Sequence, residues 1–228
     1  MKARLGPPLS AILLLLLGVA SAETLSTPRL TCKIVQTEEV TTLTTKVKGS
    51  DKSVVFRVDW KNRHEKAQGF KASKPEGAAI TSTYRLGKTT ITRTILASAT
   101  ADCILLHVIS DQPGAVSFNA RFVSKNPVDI INRREIILPG KDIQAHAWVI
   151  PFESDVHDDG KSTIFLNGEG EALIILNLTS NPETTPISNT LTRLGKKHDP
   201  GHTPPSPHLI WEAVEEGVRE GSGEGENE

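Results

Sequence analysis

Aromatic side chains are scarce in this chain: one tyrosine, three tryptophans and six phenylalanines in 228 residues. Any function that stacks rings against a ligand must therefore rest on very few positions. Cysteine is scarcer still, with only Cys32 and Cys103 and no CxxC spacing, which argues against a thiolate zinc site. The charge is nearly balanced, 26 Lys+Arg against 27 Asp+Glu, too even for nucleic acid to be an expected partner or for steering onto an anionic membrane. No serine or cysteine sits in a G-x-S-x-G elbow, so a nucleophilic triad is not expected. No cofactor is expected either. Beyond residue 22 no apolar run is long enough to cross a bilayer.

The chain's start carries what its body lacks. Lys2 and Arg4 precede an apolar run from Ala11 to Val19, and Ala20-Ser21-Ala22 supplies the small residues a signal peptidase needs. Residues 1–22 read as a secretory signal, with the mature chain beginning at Glu23, exported and extracellular. The run is shorter than the roughly 20 residues of a membrane anchor. The last seventeen residues, 212–228, hold seven acids and one base, which leaves residues 23–211 with 23 bases and 20 acids.

Between these ends the pattern is that of strands. Val40–Lys48 is rich in Thr and Val, and Val54–Trp60 ends in apolar–polar alternation, as a half-buried strand does. Further strands are predicted at 78–86, 88–97, 103–110, 115–124, 134–138, 143–150, 162–167 and 171–178. Gly, Pro, Asn and Asp punctuate them, as in Gly49-Ser50-Asp51, Lys74-Pro75-Glu76-Gly77 and Asp158-Asp159-Gly160. Many short strands without a long 3.6-period segment before residue 205 imply an all-β fold, an antiparallel two-sheet sandwich over residues 23–180. The Pro113-Gly114 and Asp159-Gly160 turns are expected to join antiparallel neighbours around a core of Ile104, Leu106, Val108, Phe118, Ile174 and Leu176. Residues 181–207 carry six prolines and read as a linker or strap. In 208–220, Ile210, Val214 and Val218 fall on one face of a short amphipathic helix that wants an apolar partner. The acidic tail 221–228 cannot bury enough apolar surface to order itself.

One stretch points to a family. Residues 78–124 run through Tyr84-Arg85, a Leu86-Gly87-Lys88 turn, Arg93-Thr94-Ile95-Leu96-Ala97-Ser98, an Ala101-Asp102 break and Pro113-Gly114-Ala115-Val116-Ser117-Phe118. A second block, Gly168 to Ser180, resembles a closing strand. In that order the two blocks resemble the N-terminal β-sandwich domain of glycoside hydrolase family 95, the α-L-fucosidases, over residues 78–180. The resemblance implies a super-sandwich fold and an association with fucosylated carbohydrate. It implies no catalytic residue here, because the family's carboxylates lie in a helical barrel after the sandwich, and none of its positions fall within this sequence. The family's opening, a Gly-rich stretch leading to an Asn-Glu-Asp loop, is missing from residues 23–60.

Candidate chemistry is correspondingly thin. A glycosidase needs two carboxylates flanking the scissile bond, and Glu153, Asp155, Asp158, Asp159, Glu169 and Glu171 read better as turn residues. His198, His202 and His208 lie among prolines and lack helical register, so no metal site is expected; His107 and His146 fall in apolar strands as buried, hydrogen-bonded side chains. For carbohydrate, Trp60 beside the basic turn Lys61-Asn62-Arg63-His64, and Tyr84, are the candidate stacking platforms, with a core or rim position as the competing reading. Trp148 reads as core. Cys32 and Cys103 can form a disulfide in an oxidising compartment, or Cys103 is simply a small buried hydrophobe. Asn177-Leu178-Thr179 is the sole glycosylation sequon; alternation sets Asn177 opposite Leu176 and Leu178, hence outward.

The sequence thus leads to a secreted, non-catalytic carbohydrate-associated module. The alternatives are a truncated or split α-L-fucoside hydrolase component that works with a missing catalytic barrel, and a secreted protein-interaction module.

Overall fold

The structure is a computed structural model, and it describes residues 20–62, 65–99, 101–131, 133–152 and 156–179. The apolar leader 1–19, Arg63, His64, Glu153, Asp155, the strap with His198 and His202, the amphipathic stretch with His208 and the acidic tail lie outside the described residues.

The described residues form fifteen strands: β1 Ser21–Ser26, β2 Leu30–Gln36, β3 Val40–Val47, β4 Val54–Trp60, β5 Ala67–Ala72, β6 Ala79–Leu86, β7 Thr89–Ser98, β8 Cys103–Ser110, β9 Val116–Phe122, β10 Asp129–Ile131, β11 Glu135–Leu138, β12 Gln144–Pro151, β13 His157–Asp158, β14 Thr163–Glu169 and β15 Glu171–Thr179. They form two antiparallel sheets, one of seven strands in the order β1-β2-β3-β4-β9-β14-β13 and one of eight in the order β10-β11-β12-β15-β8-β7-β6-β5. The expected sandwich is what the chain adopts. The first strand contains Ser21 and Ala22, which pair with Gln36 and Val35; the expected cleavage point falls inside β1.

Alternation builds the interior. Along β4, Phe56, Val58 and Trp60 point inward, and along β3 Thr41, Leu43 and Thr45 do so. Phe56 meets Phe122 edge-on at 5.1 Å, and Trp60 meets Phe118 at 5.3 Å, aromatic pairs that lock the seven-stranded sheet's inner face. All six expected core residues, Ile104, Leu106, Val108, Phe118, Ile174 and Leu176, are in this one cluster. The β6–β7 hairpin turns through Gly87, which holds φ +57 at the first central position, where a side chain would strain. The Asp159-Gly160 turn joins antiparallel neighbours, β13 and β14.

The Pro113-Gly114 turn does not. It links β8 in the larger sheet to β9 in the smaller, because both edges of β8 are taken by β7 and β15, while β9 pairs with β4 and β14. Gly170 makes a similar crossing from β14 to β15. Sequence neighbours at these points are partners across the core rather than along a sheet.

A second buried layer lies on the outer face of the larger sheet. Cys103, Leu105, Leu173 and Ile175 are fully buried there, with Leu96 and Ile150 beside them and Trp148 half-buried against them. Trp148 therefore belongs to this outer layer and not to the inter-sheet core. Strands β8 and β15 are apolar on both faces, the composition of strands covered on both sides.

Candidate functional site

The two rings offered as sugar platforms are both inside the protein. Trp60 is 7 % exposed and Tyr84 3 %. Between them lies the guanidinium of Arg93, 4.2 Å from the Trp60 ring and 4.3 Å from the Tyr84 ring. Arg93 extends inward from β7, and its Nη1 and Nη2 each donate to a backbone carbonyl of the β2–β3 turn, Thr37 and Glu38, at 2.7 Å. Burial pushes the guanidinium below its ordinary range, opposed by Tyr84 and Glu38. The indole N–H of Trp60 donates to Thr41 at 3.0 Å, and Ser82 donates to Gln36 at 3.0 Å. This seam of polar groups ties the two sheets together, and Trp60 and Tyr84 are buried as part of it. The signal in the sequence was Arg93 itself, which falls between Ile91 and Ile95 on the inward face of β7 and needs partners there.

The cysteines are also apart. Both are buried free thiols, Cys32 in the inter-sheet core and Cys103 in the outer layer of the other sheet. A disulfide between them is excluded by that placement, since their side chains leave different faces of different sheets. Burial pushes both thiols up to about 12; a hydrogen bond with Thr45 opposes this slightly at Cys32, and Asp102 adds to it at Cys103. Such thiols are unreactive in the folded chain.

Asn177 does point away from Leu176 and Leu178, yet it is 6 % exposed. It sits directly opposite His146 in a central strand, on the same covered outer face. An acceptor asparagine there is out of reach of a glycosylating enzyme once the chain has folded. The two strand histidines are buried and bonded: His107 Nε2 lies 2.7 Å from Glu171, and His146 Nδ1 lies 2.7 Å from Glu135.

Among the described candidate carboxylates, Asp159 alone stands in a turn, while Asp158 ends β13, Glu169 ends β14 and Glu171 opens β15. Asp158 accepts from the N–H of Gly160 at 2.8 Å. Asp159 accepts from the N–H groups of Lys161, Ser162 and Thr163 at 2.9, 2.8 and 3.0 Å. Burial raises the Asp159 carboxyl, but these bonds outweigh it and hold the group down at about 2. Glu169 is buried at the end of β14. A shallow depression of about 400 Å³ next to this turn is lined by Val128, Asp129, Ile130, Arg133, Asp158, Gly160 and Lys161, without an aromatic ring.

The outer face of the seven-stranded sheet presents a different arrangement. Register sets Asp59 of β4 opposite Asn119 of β9, Asn119 opposite Phe165 of β14, and Phe165 opposite His157 of β13. These four side chains cross four adjacent strands in one row, neighbours separated by about 5 Å. The next row holds Arg57, Arg121 and Thr163. Arg57 Nε donates to Asp59 at 2.6 Å, and Arg121 Nη2 lies 3.5 Å from the other oxygen of Asp59. Phe165 and Asn119 are half-buried, Arg121 and His157 exposed. The ammonium of Lys61 stands 5.2 Å from the centre of the Phe165 ring, and the carboxamide oxygen of Asn119 is buried without a hydrogen-bond partner. Beside the row, Glu39, Val40, Arg57, Asp59, Trp60 and Asn62 line a depression of about 350 Å³.

Chemically this is a flat polar surface with one aromatic ring at its centre. A ring edge or face packs against C–H groups, while planar carboxylate, carboxamide and guanidinium groups bond pairs of hydroxyls. Phe165 could have been found by alternation, because Ile164 and Leu166 point inward and leave Phe165 and Asn167 on the outer face. No protein-family model matches the chain, and no curated protein matches it.

Proposed function

We propose that this chain is a secreted, non-catalytic module that binds carbohydrate through the outer face of its seven-stranded sheet. The observation that carries the proposal is the row Asp59–Asn119–Phe165–His157, flanked by Arg57 and Arg121. The resemblance of residues 78–180 to the sandwich domain of the α-L-fucosidases supports a fucosylated glycan as the ligand class. Sugar recognition suits this surface because Phe165 offers a single ring to one pyranose and the planar polar groups lie on either side of it. A binding role suits it better than hydrolysis, since Asp59 is engaged by both Arg57 and Arg121.

A glycan array probed with the purified chain, followed by titration calorimetry of the best glycan, tests this reading. Binding is expected, weakened at least tenfold (about 1.4 kcal/mol) by Phe165→Ala and by Asn119→Ala, with aryl α-L-fucosides left intact. Failure to retain any glycan, or affinity unchanged in both variants, would overturn it. Purified chain that turns over aryl α-L-fucosides and loses that activity on Glu153→Gln or Asp155→Asn would restore the enzyme reading.

A further inference from the structure

Charge is nearly balanced over the chain, 26 Lys+Arg against 27 Asp+Glu, yet it is not evenly spread over the sandwich. Alternation turns Cys32 and Ile34, Leu43 and Thr45, Phe56 and Val58, Ala120 and Phe122 inward. Lys33, Lys46, Arg57 and Arg121 therefore stand on the outer face of the seven-stranded sheet. Register aligns them: Lys33 is opposite Thr44, Lys46 opposite Thr31, and Arg57 directly opposite Arg121. Lys61, one residue beyond β4, adds a fifth cation beside Phe165. Asp59 is the sole acid that the described strands turn to this face, and the nearest loop acid, Glu39, precedes β3 at the Asp59 end. Guanidinium groups directly opposite each other repel, and one carboxylate serves both: Arg57 meets Oδ1 of Asp59 at 2.6 Å, while Arg121 meets Oδ2 at 3.5 Å. One positive charge is left over. Lys33 and Lys46 are exposed and belong to none of the ion pairs among the described residues.

We infer that the glycan taken by this face carries acidic substituents, sulfate or carboxylate, which Arg57, Arg121, Lys33 and Lys46 read. The inference rests on the carbohydrate reading of the same face and narrows it to anionic polysaccharide. A guanidinium fork matches an oxyanion in two parallel hydrogen bonds. An anion beside Arg57 and Arg121 also relieves a repulsion that Asp59 alone only partly cancels. From Phe165 the row passes through Asn119 and Asp59 to Val40, and Lys46 lies six residues further along β3. Three strand spacings across and six residues along make a diagonal of roughly 25 Å. Such a track suits a polymer of several sugar rings better than one small anion. Nucleic acid fits it less well, because one half-buried ring offers no ladder for successive bases. A lipid surface fits less well too: of the exposed large apolar side chains among the described residues, this face carries Val123 alone.

Immobilised dextran sulfate, polygalacturonate and unmodified dextran test this. The purified chain should be held by a sulfated or carboxylated polymer and not by dextran, with affinity falling roughly tenfold between about 50 and 200 mM salt. Retention on dextran sulfate alone assigns the substituent to sulfate, and retention on polygalacturonate alone to carboxylate. Lys33→Gln with Lys46→Gln, both at exposed side chains, should weaken binding roughly tenfold, and so should Arg121→Gln. Lys71→Gln with Lys88→Gln removes the same charge from β5 and from the β6–β7 turn of the other sheet, and should leave binding unchanged. Equal weakening by that control would overturn the inference. A neutral glycan from the array, bound without regard to salt or to the Lys33 and Lys46 changes, overturns it too and leaves the carbohydrate reading standing. Retention of no glycan of any kind removes both. Equal affinity for single-stranded DNA or for phosphatidylserine vesicles would mark a general polyanion surface and overturn the assignment to polysaccharide.

Discussion

Arg93 shows how much a single side chain decides in this fold. A guanidinium placed between two sheets must find its partners inside the protein: Nη1 and Nη2 fork to two carbonyls, the rings of Trp60 and Tyr84 lie 4.2 and 4.3 Å away, and Nε is left buried without a hydrogen bond. Lysine cannot reproduce either feature, having a point charge and no plane. Arg93→Lys should lower unfolding free energy by about 3 kcal/mol, the scale of a buried ion left poorly paired, read from urea denaturation. A loss below about 1 kcal/mol would mean that the aromatic sandwich contributes little. Asp159 carries a second residue-scale expectation. Its folded value of about 2 lies below the roughly 3.9 of an unfolded aspartate, so its contribution is complete above pH 4 and is lost as pH falls through 2. Asp159→Asn keeps an acceptor for the turn but should flatten the stability profile over that window. Because the group is exposed, the effect is expected to be small, and a profile identical to the parent's would show the turn bonds to be worth nothing.

At the scale of the element, apolar–polar alternation explains why most strands could be read from sequence. Val54–Trp60 and Val40–Val47 lie where the pattern places them, and β8 and β15 match their predicted spans within a residue. What alternation conveys is a face; it does not tell what lies beyond that face. Asn177 illustrates the gap: its direction follows from Leu176 and Leu178, but its burial follows from the layer over β15, which a strand's own residues announce only by being apolar on both sides. The continuous apolar runs Cys103–Leu106 and Ala172–Leu176 are that announcement. Expressed in a glycosylating host, the folded and exported chain is therefore expected to carry no glycan at Asn177, and Thr179→Ala to leave its intact mass changed by the substitution alone. A glycan-sized loss of mass in that variant would show that the sequon is used before β15 is covered. The burial of Trp60 and Tyr84 is hidden from their own strands for a related reason, since Arg93, which packs against both rings, comes from a different strand, β7.

On the scale of the whole molecule, neither sheet is a continuous piece of chain. Strands β1 to β4 build the smaller sheet, β5 to β8 the larger, β9 returns to the smaller, β10 to β12 to the larger, β13 and β14 to the smaller again, and β15 closes the larger. Pairing order of this kind is set by which edges remain open when each strand arrives, which is why it could not be read from spacing. The weave has a thermodynamic consequence: β9 and β15 are interior strands of opposite sheets, and each is reached through a single short crossing, so neither sheet can lose its centre without the other. Added to the Arg93 seam and to Asp102, which accepts from Thr27 at 2.5 Å and faces Arg29 at 3.3 Å across the sandwich edge, this leaves no natural line of partial unfolding. Trp60 reports on the inter-sheet core and Trp148 on the outer layer. In a Trp211→Phe background, variants with only Trp60 or only Trp148 remaining should unfold in urea with coincident midpoints once each is corrected for its own stability change. If the Trp148 signal moved first, by more than the error of the midpoints, the outer layer would be a separate, weaker unit resting on an already stable sandwich.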